Sequence, residues 1–484
     1  MKKLTDILKN TPVREVCGNT AAAIGGLVYD SRAVKPGDCF FAVPGTQSDG
    51  HDYIPIAVEK GAAAIVCERM PADAAEGVAY VLVGDSAGAM ADMAAAFYDY
   101  PSRELKLVGI TGTNGKTTTA TLLYDLVRAM GYKAGLISTV VYKIDGREVE
   151  ATHTTPDSIR LNAMMREMAD AGCAYCFMEC SSHAIVQERT RGLDFAGGIF
   201  SNITHDHLDY HKTFAEYIRA KKFFFDGLPK GAFALTNADD RNGRVMVQNT
   251  AAAVSAYSLR AMADFRCKIV EMHLDGMLLR IDGQELWVGL LGRFNAYNLL
   301  AVYGAAALLG LNRGEVLRVL SMLHAVSGRF EKIRAANGTT AIVDYAHTPD
   351  ALENVIQTIE EIRTPGQQLI VVCGCGGDRD RTKRPEMAAI AVKYATTAVF
   401  TSDNPRHESP EAILDDMVAG LEPGARYLRI ADRAEAIRTA VMLSRPGDII
   451  LVAGKGHETY QIVGDVKHPF DDREEIKKRF ALLN

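Results

Sequence analysis

The run Ile110-Thr111-Gly112-Thr113-Asn114-Gly115-Lys116-Thr117-Thr118 places two glycines ahead of a lysine and two threonines. Glycines at that spacing let successive backbone N–H groups turn toward an anion. A helix that begins at the lysine adds the positive end of its dipole. The Lys116 ammonium then reaches the β- and γ-phosphates of a nucleotide, and the Thr117 hydroxyl offers an oxygen to Mg2+. The spacing departs from the strict G-x4-G-K-[ST] form, because position 110 is Ile. An ordinary glycine-containing turn is the plain alternative, and the G-K-T string between a strand and a helix speaks against it.

Two further strand ends carry titratable groups. Tyr175 to Cys180 is an apolar run that ends in Glu179, with Ser181-Ser182-His183 after it, and Ile199 to Ile203 leads into Thr204-His205-Asp206-His207-Leu208-Asp209-Tyr210-His211. A carboxylate with a neutral imidazole, Glu179 with His207, makes an oxygen and nitrogen site for Mg2+ shared with nucleotide phosphates. Three histidines within seven residues also permit zinc or a plain polar loop. The interleaved aspartates and the neighbouring phosphate loop favour Mg2+. Lys221, followed by Lys222, reads by itself as a solvated lysine. Nearer the C-terminus, Gly374 to Arg381, Asp403-Asn404-Pro405-Arg406 and Ala453 to Glu458 each follow an apolar run. Arginines at strand ends clamp carboxylates through two N–H groups, and Glu458 can pair an ammonium. Together they suit an amino acid with an extra zwitterionic end.

These groups need an open sheet, because such sheets bind ligands at the C-terminal ends of their strands. Apolar runs at Leu107–Thr111, Lys133–Thr139, Thr340–Asp344, Gln368–Gly374, Thr397–Thr401 and Asp448–Ala453 alternate with helical patterns, which predicts an α/β chain with mostly parallel sheets. Met277 to Gly283 alternates like a hairpin, and Ala87–Tyr98 and Asn298–Leu309 read as helices. Pro101-Ser102-Arg103 and Ser327-Gly328 divide the chain into three expected domains, 1–102, 103–327 and 328–484. The 484 residues are 48% hydrophobic and 24% charged, with a formal net charge of −6, so an anionic ligand must be held by local groups. No basic surplus points to nucleic acid. No run approaches the length of a membrane span, and Met1 to Asn10 lacks the apolar core of a signal peptide. The nine cysteines form no regular framework, and Cys173, Cys176, Cys180, Cys373 and Cys375 read as small hydrophobes.

Taken in order, Thr111 to Thr118, Glu179-x-Ser181-Ser182-His183, Asn202 to His211 and Ala220-Lys221 resemble the Mur ligase family, ATP-dependent amino acid ligases of peptidoglycan precursor synthesis. The resemblance spans essentially the whole chain. It implies an N-terminal domain that binds the uridine diphosphate substrate, a central phosphate-loop ATPase domain and a C-terminal Rossmann-like domain that binds the amino acid. It implies ATP contacts at Gly112, Thr113, Asn114, Gly115, Lys116, Thr117, Thr118, Asn295, Asn298, Arg329 and Asp344. The UDP-N-acetylmuramoyl-dipeptide would meet Ser31, Thr46, Gln47, Thr154, Thr155, Ser181, Gln187 and Arg189. Mg2+ would be held by Thr117, Glu179, His207 and a carbamylated Lys221, since a carbamate turns a cationic side chain into an anionic oxygen ligand. Lys116, Glu179, His207 and Lys221 would form the catalytic set. The Asp-Asn-Pro-Arg string resembles members that add meso-diaminopimelate, with Arg379, Asp403, Asn404, Arg406, Gly454 and Glu458 around it. The expected reaction activates a carboxylate as an acyl phosphate and then forms an amide. A lysine-adding member, a folylpolyglutamate synthase and a nucleotide sensor without turnover are the alternatives. A cytoplasmic monomer without nucleic-acid partners is the accompanying expectation.

Overall fold

The computed structural model describes residues 1–45, 48–204, 206 and 208–483, with Leu208 and Asp209 described by their backbone alone. Among them the chain forms three large sheets of five, eleven and six strands, with helices packed on their faces. The first sheet runs in the order Val13–Cys17, Ala79–Val83, Ala64–Cys67, Cys39–Phe41 and Leu27–Val28. Its last four strands are parallel. The helix Ser86–Phe97 covers it, started by the Asp85 carboxylate, which accepts from the Ala87 and Gly88 N–H groups.

The elements that carry the candidate site lie in the other two sheets. They are β1 (Lys106–Thr111), α1 (Lys116–Ala129), β2 (Tyr175–Glu179), β3 (Gly197–Phe200), α2 (Phe214–Asp226), α3 (Arg293–Leu308), β4 (Thr340–Asp344), α4 (Pro349–Ile362), β5 (Leu369–Cys373), β6 (Thr397–Phe400) and β7 (Ile449–Ala453). In the central sheet Ala134–Ile137, β2, β1, β3 and Phe233–Asn237 are consecutive and parallel. In the C-terminal sheet β4, β7, β5 and β6 are likewise consecutive and parallel. Strands covered on both faces read as continuous apolar runs, which is why Val108, Ile110, Phe177, Val371 and Leu451 are all fully buried. One apolar cluster runs from β1 and α1 through α3 into α4, β5 and β7, so the two sheets share a continuous core.

Two elements differ from the sequence expectation in where they start. β3 begins at Gly197, ahead of Ile199, because two glycines leave room for rings: a Cβ on Gly197 would lie 2.2 Å from Phe233, and one on Gly198 2.8 Å from Phe224. The chain then leaves the sheet at Ser201 to reach the phosphate loop. α3 begins at Arg293, five residues ahead of Asn298, because Gly292 turns the chain with φ of 95°. The expected hairpin is Gly276–Ile281 paired with Gln284–Val288, joined through Asp282 and Gly283 at positive φ. No helix among the described residues is long and apolar enough to cross a membrane.

Candidate active site

The loop between β1 and α1 is held from below. Asn202 accepts the Thr113 N–H at its carbonyl (2.8 Å) and the Asn114 N–H at its side-chain oxygen (2.9 Å). Gly112 has φ of 147°, and a Cβ there would stand 2.0 Å from Ser201 Oγ; a Cβ on Gly115 would stand 2.4 Å from Asn298 Oδ1. Both glycines are therefore required by close approach as well as by backbone conformation. Lys116 Nζ donates to the Gly112 and Thr113 carbonyls, at 2.9 and 2.8 Å. Thr117 and Thr118 are buried in the first turn of α1.

Lys221, on α2, is 1% exposed and donates to the same Gly112 carbonyl at 2.8 Å, with its ammonium 4.6 Å from the centre of the Tyr217 ring. Two lysines thus converge on one oxygen. Burial, then the charge of Lys116, hold the Lys221 pKa well below its ordinary value, against the pull of Asp206. Burial lowers Lys116 as well, opposed by Glu179 and Asp206. Glu179, at the end of β2, is 1% exposed. Its Oε1 accepts the Thr139 N–H at 2.7 Å and its Oε2 the Thr139 hydroxyl at 3.2 Å. His207 and His205 lie outside the described residues. Among the described residues no three His, Cys, Asp or Glu side chains are grouped to hold a metal, and the nine cysteines are free.

A cavity of about 530 Å³ opens above this loop and reaches the C-terminal sheet. Its walls include Lys116, Glu179, Lys221, Asn298, Arg329 and Asp344 from the sequence reading, and also Arg293, Tyr297, His347 and Asp350. Arg329 crosses to α1, where its Nη2 donates to Thr117 Oγ1 at 3.2 Å, and its guanidinium lies 4.5 Å from the Tyr345 ring centre. Asp344 accepts the Phe330 N–H at 2.7 Å, and burial raises its pKa. Asp350, in the first turn of α4, accepts from Asn114 Nδ2 at 2.9 Å and so ties that helix to the phosphate loop. Asn295 stands behind Asn298 and accepts from its amide at 3.1 Å.

Around β2 the expected sugar-peptide residues form one network. Thr155 Oγ1 donates to the Glu179 carbonyl at 2.7 Å and accepts the Ser181 N–H at 3.2 Å. The Thr154 and Thr139 hydroxyl oxygens lie 3.1 Å apart. Arg189 donates to the Thr155 carbonyl and to Gln187 Oε1, both at 2.6 Å. Ser31 is buried in the N-terminal unit, next to Arg32, whose guanidinium pairs with Asp30 at 2.8 Å. Burial, then Asp157, raise the pKa of the neighbouring Tyr29 phenol, with Arg189 opposing. Thr46 and Gln47 lie outside the described residues.

The third group gathers at the ends of β5, β6 and β7. Arg406 has φ of 51°, and its Nη1 donates to the Gly377 carbonyl at 2.8 Å. Burial, then Arg379, lower its pKa, with Asp403 and Glu458 opposing. Arg379 is exposed and, among the described residues, bonds its own loop at the Asp378 carbonyl. Asn404 Nδ2 donates to Glu458 Oε2 at 2.8 Å. Gly454 approaches Asp403 so closely that a Cβ would lie 2.5 Å from its carboxylate. Two participants escaped the sequence reading. Arg384 is fully buried and bonds Glu408, whose pKa it lowers to about 2. Lys455 is fully buried against Glu458. The glycines flanking Lys455 signal a tight turn, but nothing local tells a buried lysine from a solvated one. Thr139, which orients Glu179, lies 40 positions away in sequence and carries no local signal.

Three family models cover the chain: the Mur ligase family, catalytic domain over residues 23–98, the Mur ligase middle domain over 110–306, and the Mur ligase, glutamate ligase domain over 328–456. The chain belongs to the Mur ligase family. A relative from Phocaeicola vulgatus named "UDP-N-acetylmuramoyl-L-alanyl-D-glutamate--2,6-diaminopimelate ligase" is 55% identical over 481 residues, covering 99% of each chain. One of the same name from Geobacillus kaustophilus is 43% identical over 97% of this chain and 98% of its own. A solved ligase of that name superposes with a TM-score of 0.68 at 32% identity, over 95% of both chains. A folylpolyglutamate synthase from Mycobacterium tuberculosis shares the fold alone, at 18% identity and TM-score 0.62 over 75% of this chain.

Proposed function

We propose that this chain is an ATP-dependent ligase that adds meso-2,6-diaminopimelate to UDP-N-acetylmuramoyl-L-alanyl-D-glutamate in peptidoglycan precursor synthesis. The observation that carries the reading is the 55% identity across 99% of the chain to relatives bearing that name. The groups that converge on the phosphate loop and at the ends of β5, β6 and β7 support it. In the reaction the substrate carboxylate oxygen attacks the γ-phosphorus and ADP leaves. The amine nitrogen then attacks the acyl carbon, phosphate leaves with that oxygen, and the amine loses a proton. The main barrier is the crowding of negative charge, so positioned cations carry most of the catalysis.

Lys116 is assigned to the β- and γ-phosphates, which the loop N–H groups would cradle. Arg329, stacked on Tyr345, brings a cation from the C-terminal unit to Thr117. Asn298, Tyr297, Arg293 and Asp344 line the same cavity, and we assign them to the nucleotide base and sugar. The donors suit Mg2+, which favours oxygen ligands: the Thr117 hydroxyl, the Glu179 carboxylate oriented by Thr139, and Lys221 once carbamylated. A lysine driven toward its neutral amine by burial and by Lys116 is suited to take up carbon dioxide. Bound there, Mg2+ would neutralise phosphate charge and polarise the γ-phosphoryl group. His207 belongs to the proposed set on sequence grounds.

Thr154, Thr155, Ser181, Gln187 and Arg189, with Ser31, Thr46 and Gln47, are assigned to the UDP-substrate. Arg379, Asp403, Asn404, Arg406, Gly454 and Glu458 are assigned to the amino acid. The three sheets support domains at 1–102, 103–327 and 328–484. The nucleotide substrates suit the cytoplasm, and a monomer is the proposed state. The test is phosphate release with a panel of amino acids. It should require ATP, the UDP-dipeptide and diaminopimelate together. Release without an amino acid, or equal use of lysine, would refute the assignment.

A further inference from the structure

We propose that Lys455 is the positioning residue that sets amino-acid selection, by holding Glu458 and Asn404 in the orientation that receives the zwitterionic end of diaminopimelate. The inference rests on the ligase reading above. Lys455 is 0% exposed, and a buried ammonium is tolerated only where acceptors meet it. It donates to Glu458 Oε2 at 2.9 Å and to Asn404 Oδ1 at 3.2 Å, with its charge 5.6 Å from the Tyr460 ring centre. The Asn404 side-chain oxygen is thereby fully used, since Oδ1 also accepts the Ile462 N–H at 2.9 Å, and Nδ2 donates one of its hydrogens to Glu458 Oε2 at 2.8 Å.

Glu458 Oε2 thus takes two donors, while Oε1 takes none among the described residues. The carboxylate is fixed with one oxygen left for a ligand ammonium. The Asn404 carbonyl in turn lies 3.4 Å from Arg406 Nη1, so the same ammonium steadies the turn that carries the arginine. The glycines on either side of Lys455 are closely packed. A Cβ on Gly454 would lie 2.5 Å from Asp403 Oδ2, and one on Gly456 2.7 Å from the Gly328 carbonyl.

Lys455 also changes what Glu458 can select. A carboxylate already paired with a buried cation attracts a second, isolated ammonium weakly, because the two cations repel. Lysine brings only an ammonium to this end. Diaminopimelate brings a carboxylate beside it, which Arg406 can take. Without Lys455, Glu458 becomes a free acceptor for a lone ammonium, and the discrimination falls.

The experiment measures kcat and KM of the full-length enzyme for diaminopimelate, lysine, ATP and the UDP-dipeptide in Lys455→Met and Lys455→Gln. The glutamine variant keeps an amide donor without the charge, and it decides the question if the methionine variant does not fold. The KM for diaminopimelate should rise about 10- to 100-fold, as expected for losing charge-assisted hydrogen bonds. The lysine kcat/KM should hold or rise, and KM for ATP and the UDP-dipeptide should stay within about twofold. Combined with Glu458→Gln, Lys455→Met should add little to the loss, because the lysine acts through that carboxylate. An unchanged KM for diaminopimelate, additive losses, or a parallel rise in all KM values would overturn the proposal. A wild type that ligates no diaminopimelate would instead overturn the ligase reading itself.

Discussion

Arg406→Ala should collapse the preference for diaminopimelate over lysine, and the structure sets the size of the effect. The backbone of Arg406 is pinned on both sides: its N–H donates to the Ile462 carbonyl at 3.1 Å, and its own carbonyl accepts from Gly464 at 2.7 Å. Nη1 is committed to the Gly377 carbonyl. Nε and Nη2 make no hydrogen bond among the described residues, so one edge of the fork is left for a carboxylate. Two charge-assisted bonds of about 1.5–3 kcal/mol each would form there. The guanidinium is half-buried, so water recovers part of that when lysine binds. The lower end, about 3 kcal/mol in all, is the appropriate figure, equivalent to ~150-fold in kcat/KM. The assay is phosphate release with each amino acid for wild type, Arg406→Ala and Arg406→Lys. The alanine variant should lose nearly all of the ratio through diaminopimelate, with lysine changed less than about threefold. The lysine variant should fall between, since one ammonium cannot reproduce a two-donor edge. A wild type that uses lysine well, or an alanine variant that loses both substrates equally, would refute the reasoning.

Lys116→Ala should lower phosphate release by at least ~10³ while the Kd for the UDP-dipeptide moves less than about threefold, since Ser31 and Arg189 lie on other elements; equal loss of both in a folded variant would contradict the site. Lys221 has a folded pKa below its ordinary 10.5, so between the two values the unfolded chain binds more protons and stability rises with pH. In carbon-dioxide-free buffer Lys221→Met should therefore be inactive yet raise Tm at pH 7, with the gain shrinking toward pH 10; a gain independent of pH would show that the lysine is not held neutral. Thr139→Val removes the hydroxyl from Glu179 Oε2 but keeps the N–H on Oε1, and should raise the Mg2+ concentration for half-maximal activity about 3- to 10-fold with the KM for diaminopimelate unchanged. Gly328→Ala would put a Cβ 2.0 Å from the His457 nitrogen at φ of +67°, so urea unfolding should show a loss of about 2–4 kcal/mol, and a neutral result would mean that this turn relaxes freely.

Local chemistry was enough to locate the phosphate loop, the three Gly- and Asp-rich strand ends and the α/β class, because each is written in contiguous residues. A G-K-T string between an apolar run and a helix favours phosphate binding over an ordinary turn, and parallel strands buried on both faces leave continuous apolar runs. The bridge between units was not legible. Arg329 meets Thr117 across 212 positions, Asn114 meets Asp350 across 236, and no periodicity encodes either pairing. Lys221 shows the division most clearly. By itself it reads as a solvated lysine beside Lys222, and only the packing of α2 against the phosphate loop buries it, sets it on the Gly112 carbonyl beside Lys116 and depresses its pKa. Lys455 follows the same rule. Its neighbours in sequence announce a turn, whereas its burial and its bond to Asn404 come from the ends of β6 and β7 brought together by the sheet. A side chain's type is local, but its desolvation and its partners belong to the tertiary structure, and in this chain those two quantities set Lys221 and Lys455 apart from solvated lysines.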